Sequence, residues 1–388
     1  MSGFIPYGRQ QISDEDIEAV VRVLRSDYLT QGPAIPAFEQ AVARYCGARY
    51  AVAVNSATSA LHIACLALGL GPGKRVWTSP NTFVASANCG IYCGAEVDFV
   101  DIDFATGNMS VEALAEKLER SAKQGFLPDV VIPVHFAGQP CEMSAIRALA
   151  DNYGFRIVED ASHAIGARYA DEKYVGNCWY ADITVFSFHP VKIITTGEGG
   201  IALTNSPELA ATMNRLRSHG ITRDPAEMEG GSDGNWYYQQ IELGFNYRIT
   251  DIQAALGLSQ LQRLGDVVTR RTERVARYER LLADVPVGLP ELRAPAESAW
   301  HLYVVHVPAL ARRSIFDAMR ASEIGVNVHY IPVHLQPYYR RRGFKPGDFP
   351  EAERHYASAL SLPLFPALTD AEQDHVVSIL SRAMEVAA

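Results

Sequence analysis

Four short stretches of the chain carry residue types that could act on one ligand together. "SFHPVKIITTGEGG" (Ser187–Gly200) follows the apolar run "ADITVFSF" and sets Lys192 between a buried strand and a glycine turn. A charged amine loses its hydration on burial. Lys192 therefore either points to water or serves a site that wants an amine of lowered pKa. "AVAVNSATSALHIA" ends a strand at Asn55 and opens a helix with small hydroxyl residues. Free backbone N–H groups and the positive dipole end of such a helix suit a phosphate. Ser56, Thr58 and Ser59 would add donors, although a plainly capped helix also explains the pattern. "FRIVEDASHAIGA" closes a strand on Glu159 and Asp160. Alternation sends these acids to opposite faces, so one can face a ligand while the other pairs or caps. "TSPNTFVASAN" puts Phe83 after Pro80 near a strand end, where an aromatic either stacks on a flat ring or fills the core.

Taken together in chain order, the four point to pyridoxal phosphate. Its aldehyde needs a lysine, its ring nitrogen a carboxylate, and its phosphate a helix N-terminus with hydroxyls. Ser187, five positions before Lys192, extends the hydroxyl set. The glycine-lysine stretch "GLGPGKR" (Gly69–Arg75) is no phosphate loop. Arg75 stands where Ser or Thr is required, and the stretch precedes a strand instead of following one.

These residues need a frame. Apolar runs alternate with amphipathic helical patterns from "YAVAVNS" to "DITVFSF", which predicts a mostly parallel sheet with helices on both faces. Such sheets bind ligands at the carboxyl ends of their strands. "SDEDIEAVVRVLRS" reads as a helix capped by Ser13. The Gly-, Pro- and acid-rich segment 223–238 reads as a mobile surface loop. We expect a large domain over 1–254, with an N-terminal arm, and a smaller one over 255–388. The smaller has strands at "HLYVVHV" and "GVNVHYI" and helices near 312–322 and 370–385.

Among 388 residues 48% are hydrophobic and the net charge is −9 with no long basic run, which argues against nucleic acid as a partner. No apolar stretch is long enough to span a membrane, and the N-terminus has no signal pattern. Six scattered cysteines without C-x-x-C pairs suggest reduced thiols in a cytoplasmic protein, and no metal site.

The segments "LTQGPAIPAFEQAVARYCG", "NSATSALHIA", "TFVASAN", "EDASHAIGA", "FSFHPVKIITTGEGG", "RSHGI", "GFNYRITDIQAALGLSQL" and "NVHYIPVHLQP" span nearly the whole chain. In this order the chain resembles the sugar aminotransferases of the DegT/DnrJ/EryC1/StrS family. The resemblance implies fold type I, the architecture of aspartate aminotransferase. It implies that Lys192 joins the cofactor and moves the proton, that Asp160 pairs with the ring nitrogen, and that Phe83 stacks on the ring. His163 would lie beside the ring or its hydroxyl. Ala57, Thr58 and Ser187 would hold the phosphate, together with Asn246 of a second subunit, hence a homodimer with shared sites. The likeness extends to the pseudaminic acid branch, which implies amino transfer from L-glutamate to C4 of a UDP-linked 4-keto-6-deoxy-N-acetylhexosamine. Substrate contacts would come from Tyr7, from Asp27, Tyr28, Leu29 and Thr30, and from Val328, His329, Tyr330 and Ile331. A related branch dehydrates sugars and has histidine in place of the lysine, so Lys192 speaks for transamination. His189, Arg217, His219, His334 and Arg340–Arg342 read as well as packing, capping or solvated residues.

Overall fold

The computed structural model describes residues 3–293 and 295–387. Seven strands form its main sheet: β1 (Tyr50–Val54), β2 (Arg75–Thr78), β3 (Glu96–Phe99), β4 (Val130–Ile132), β5 (Arg156–Asp160), β6 (Ile183–Ser187) and β7 (Gly200–Thr204), in the order β1-β7-β6-β5-β4-β2-β3. Only β7 runs against its neighbours; β2, β3, β4, β5 and β6 pair in parallel. Strands β4, β6 and β7 are buried along their whole length, which explains their unbroken apolar runs. The sequence pattern shows β7 only as a glycine turn, because Gly199 and Gly200 mask its start.

The helices are α1 (Asp14–Leu24), α2 (Ala34–Cys46), α3 (Ala57–Ala67), α4 (Ala85–Tyr92), α5 (Val111–Gln124), α6 (Met143–Tyr153), α7 (Pro207–Leu216), α8 (Asp251–Leu261), α9 (Leu264–Leu281), α10 (Arg312–Ala321), α11 (Pro337–Arg340), α12 (Pro350–Ser358) and α13 (Asp370–Ala387). Local chemistry sets their starts. Ser13 and Thr250 form capping boxes with Asp16 and Gln253, and Ser56 caps α3. Mixed α/β layering around a largely parallel sheet agrees with the expected fold type I architecture.

Apolar side chains collect in separate cores. Two line the faces of the large sheet, one including Phe38, Phe186 and Ile201, the other Val52, Leu61 and Val185. A further core joins α9, α10, α13 and the antiparallel pair of Tyr303–His306 with Ala359–Leu362. Helix α9 bridges them: Leu264 and Val267 belong to the sheet core, Val275 and Tyr278 to the other. Position 254 falls inside α8, whose Ala254 and Leu261 pack in the sheet core. Ile5 of the N-terminal arm packs in the C-terminal core and bridges Ile324.

One segment differs from the sequence pattern, and a second keeps its expected place as a surface loop. Residues 325–331 form no strand, because they meet neighbours at isolated points such as Asn327 with Ser361 instead of along a ladder. Segment 223–238 is closed at its base by the short pair Ile221–Thr222 with Gln239–Gln240. Glu227 within it accepts from Arg215 at 2.9 Å and from Thr222 at 2.6 Å.

Candidate active site

The chemistry-bearing residues come from strand ends. Asp160 is the last residue of β5 and Ser187 the last of β6. Lys192 follows β6 in a turn, its amide donating to the His189 carbonyl at 2.9 Å. Gly197 (φ +81°) reverses the chain into β7, a conformation other residues rarely adopt. Gly200 then passes directly beneath the first turn of α3. A Cβ there would stand 2.4 Å from the Ala57 nitrogen, so only glycine permits the approach. The outcome is a cavity of about 560 Å³ lined by Tyr7, Ser56, Ala57, Thr58, Phe83, Asp160, Ser187, Lys192, His301, Val328, His329 and Tyr330, among others.

At one end lies the start of α3. Ser56 Oγ accepts from the Ser59 amide at 3.1 Å, and the Ser56 carbonyl accepts from Ala60 at 3.1 Å. The amides of Ala57 and Thr58 precede these and have no acceptor in the described chain, as expected of an open helix N-terminus. Ser187 lines the same end. This is a cradle for an anion.

Deeper in, Asp160 is held rigidly. Its Oδ2 accepts from Ser86 Oγ at 2.6 Å and its Oδ1 from the Ser162 amide at 3.1 Å. Its neighbour Glu159 faces the other way, fully buried, accepting from Tyr169 Oη at 2.7 Å and Thr184 Oγ1 at 2.5 Å. Alternation along β5 thus separates the two acids into a site residue and a structural one.

The Lys192 side chain opens into the cavity and keeps some exposure, yet its amine is closely surrounded. Desolvation lowers its pKa to about 8 against the pull of Asp160, which favours the charged form. Three imidazoles surround it. His163 and His301 are held well below the usual histidine range, and His329 is held down to about 3, by burial first and the Lys192 charge second. His163 Nδ1 accepts from the Ala137 amide at 3.3 Å, so its proton sits on Nε2 and faces Tyr330 Oη at 3.2 Å. Burial pushes the Tyr330 and Tyr7 phenols up, so both remain protonated donors.

The structure therefore gathers Ala57, Thr58, Phe83, Asp160, Ser187, Lys192, Tyr7, Val328, His329 and Tyr330 in one cavity, with His163 packed behind Tyr330. Phe83 is 59% exposed at the cavity wall and takes no part in the core. Asp27, Tyr28, Leu29 and Thr30 do not reach this cavity. They are exposed on the link between α1 and α2, where Thr30 bridges Thr250. Ile331 and Asn246 are exposed outside it as well. Three contributors lie outside the sequence motifs' assigned roles: Ser86, Asn327 and His301. Ser86 sits one helical turn beyond Phe83 and could have been read from that spacing. Asn327 and His301 carry no local signal.

The donor set fits pyridoxal phosphate: an amine of lowered pKa, a fixed carboxylate, and an open helix N-terminus within one cavity. A strand-end site of this kind on a seven-stranded sheet with one antiparallel member defines a cofactor-dependent group-transfer enzyme of fold type I. Residues 10–381 match the DegT/DnrJ/EryC1/StrS aminotransferase family, and the chain belongs to it. The spore coat polysaccharide biosynthesis protein SpsC of Bacillus subtilis (strain 168) is 41% identical over 382 residues, 96% of this chain and 95% of that protein. Helicobacter pylori PseC, an aminotransferase in the biosynthesis of pseudoaminic acid, superposes with a TM-score of 0.89 at 30% identity, covering 99% of this chain and 100% of PseC. The putative sugar aminotransferase Spr1654 from Streptococcus pneumoniae, in its PLP-form, superposes with a TM-score of 0.88 at 29% identity, covering 99% and 100% of the two chains.

Proposed function

We propose that the protein moves an amino group from L-glutamate to C4 of a UDP-linked 4-keto-6-deoxy-N-acetylhexosamine, with pyridoxal phosphate as its cofactor. The observation that carries amino transfer is the Lys192 amine, lowered to about 8 by burial, sharing a cavity with Asp160 and the open start of α3. The likeness to PseC supports the choice of sugar.

When bound, pyridoxal phosphate supplies an aldehyde that captures amines and a ring that takes up the electron pair released at carbon. The chain supplies everything else. Ala57 and Thr58 amides with Ser187 would hold the phosphate. Asp160, fixed by Ser86 and Ser162, would keep a proton on the ring nitrogen. Phe83 would cover one face of the ring. Lys192, its pKa lowered far enough for a neutral fraction to be available, is the group that takes a proton from the donor carbon and returns it to the sugar carbon. Tyr7, Val328, His329 and Tyr330 form the wall that would meet the sugar.

Asn246 and residues 27–30 find their place in a homodimer. Asn55 donates to the Tyr247 carbonyl at 2.8 Å and Asp251 to the Leu29 carbonyl at 3.0 Å, so both groups lie along one exposed edge. From that edge they would reach the partner's cavity. The six cysteines, all free and buried, accord with a cytoplasmic enzyme. Among the described residues no helix is long and apolar enough to cross a membrane.

The higher identity to SpsC favours a second reading, the same transfer onto another nucleotide-linked keto sugar for a polysaccharide. One experiment addresses both. The purified protein should show a visible absorbance band that glutamate bleaches. A panel of UDP-, dTDP- and GDP-keto sugars with product NMR should then give a 4-amino UDP sugar. A product from another sugar alone would select the second reading, and multiple turnover by Lys192→Ala would defeat both.

A further inference from the structure

The segment leading to His301 carries backbone strain and lies over a buried cation. Trp300 has φ +50°, a conformation strained for a bulky residue and found chiefly where function holds it. Beneath it lies Arg271 of α9, 1% exposed and with no carboxylate partner among the described residues. Its Nη1 donates to the carbonyls of Trp300 at 3.1 Å, His301 at 3.3 Å and Leu364 at 3.2 Å. A buried cation spent on three carbonyls is a clamp on one backbone corner. The Leu364 amide in turn donates to the Tyr7 carbonyl at 3.0 Å, which ties a second cavity wall to the same clamp.

The clamp presents the His301 ring to Lys192. His301 Nε2 lies 3.5 Å from Lys192 Nζ and is its one hydrogen-bond partner in the described chain, while His301 Nδ1 is buried without a partner. Opposite, the ring packs on His163 with centroids 4.4 Å apart. The other groups facing this pair are Asp160, His329 and Tyr330, with Arg271 behind His301. Tyr7, His189 and Glu198 line the same cavity further out. Of the three imidazoles, His163 and His329 spend both nitrogens elsewhere, on Ala137 and Tyr330 and on Ser361 and Asn327.

We infer that His301 is a positioning residue of this site: its Nε2 accepts an N–H from Lys192 and so aims the amine's lone pair into the cavity, while Arg271 and the strained Trp300 hold the imidazole in place. Lysine has several rotatable bonds, and a neutral amine in an open cavity would otherwise sample many directions. The inference rests on Lys192 being the reacting amine, but its test does not need the cofactor. An accepting nitrogen also favours the ammonium, so its loss lowers the pKa of Lys192.

The test is competitive acetylation of the full-length, cofactor-free protein across pH, with the Lys192 peptide quantified by mass spectrometry. In His301→Leu, which conserves volume, the Lys192 pKa should fall by about one unit, a tenfold change in acidity. His301→Gln, whose amide oxygen reaches a similar place, should restore it. His301→Met replaces the leucine variant if that one does not fold. An unchanged or raised pKa in the leucine or methionine variant, or no recovery with glutamine, would overturn the inference. In the cofactor-loaded protein the same apolar variants should lose about tenfold in kcat with KM for glutamate nearly unchanged. Absence of a visible band in every form would instead indict the cofactor reading and leave the pKa result standing.

Discussion

At the residue scale, the site is organised around the ionisation of Lys192. An amine whose pKa is about 8 in the folded chain and near 10.4 in the unfolded one has a definite effect on stability. Between those values the unfolded chain binds the extra proton, so stability rises with pH across this window. Below pH 8 both states are protonated and the folded state bears the desolvation penalty in full. Lys192→Met in the cofactor-free protein should therefore be more stable than the native chain at pH 7, by about 2 kcal/mol after allowing for water in the open cavity. The gain should shrink toward zero by pH 10. Urea titrations of both proteins at pH 7 and pH 9.5 check this. A gain independent of pH would mean that the lysine ionises normally, and the chemical argument for an amine of lowered pKa would fall with it. The same residue shows why sequence reading could begin here. A lysine after the all-buried strand β6 violates the usual pattern, and such violations concentrate at functional sites.

At the element scale, the approach of β7 to α3 decides whether the anion cradle exists. Gly200→Ala would force its Cβ against the Ala57 nitrogen and the Ser56 carbon, both backbone atoms that cannot swing aside. We expect a loss of about 1–3 kcal/mol in stability and at least a tenfold weaker hold on pyridoxal phosphate, read by titrating cofactor into the stripped protein. Native affinity in Gly200→Ala would show that the phosphate does not use the start of α3. The elements that form the cradle were legible because strand ends and helix starts leave local marks: Asn55 before "SATSA", Asp160 after "FRIVE", Ser187 after "ITVF". Strand β7 was not, because its first residue is chosen for closeness to α3 and not for strand propensity. Arg271 left a fainter trace. It stands on the buried face of α9 with Leu264, Val267, Val275 and Tyr278, a charge inside an apolar stripe. Among the many arginines of that helix nothing local singles it out. His301 was illegible for a plainer reason: it meets Lys192 across 109 residues of chain, and only the folded sheet brings them together.

At the scale of the whole molecule, the exposed edge carrying Asn246 asks for a partner. Tyr28 (55% exposed), Leu29 (48%) and Leu243 (78%) lie close in sequence to Thr30 and Asn246 on that edge. Exposed large apolar side chains beside both segments suit an interaction surface. A two-fold dimer would cover the edge and bring each Asn246 toward the other subunit's α3. Sedimentation should accordingly give twice the 42.6 kDa of the chain. Leu243→Asp should shift the protein toward monomer and reduce transfer activity in parallel. The sharper test mixes two defective proteins, Lys192→Ala and Asn246→Ala, each more than tenfold impaired alone. If each site takes its lysine from one chain and its asparagine from the other, a mixed dimer contains one site with neither and one site with both intact. Unfolding and refolding the pair together should recover about a quarter of native activity, since half of the dimers are mixed and each has one good site. If every site is built within a single chain, mixing recovers nothing beyond the residual activity of Asn246→Ala. That outcome would remove Asn246 from the phosphate site and leave its exposed edge without a role in the chemistry.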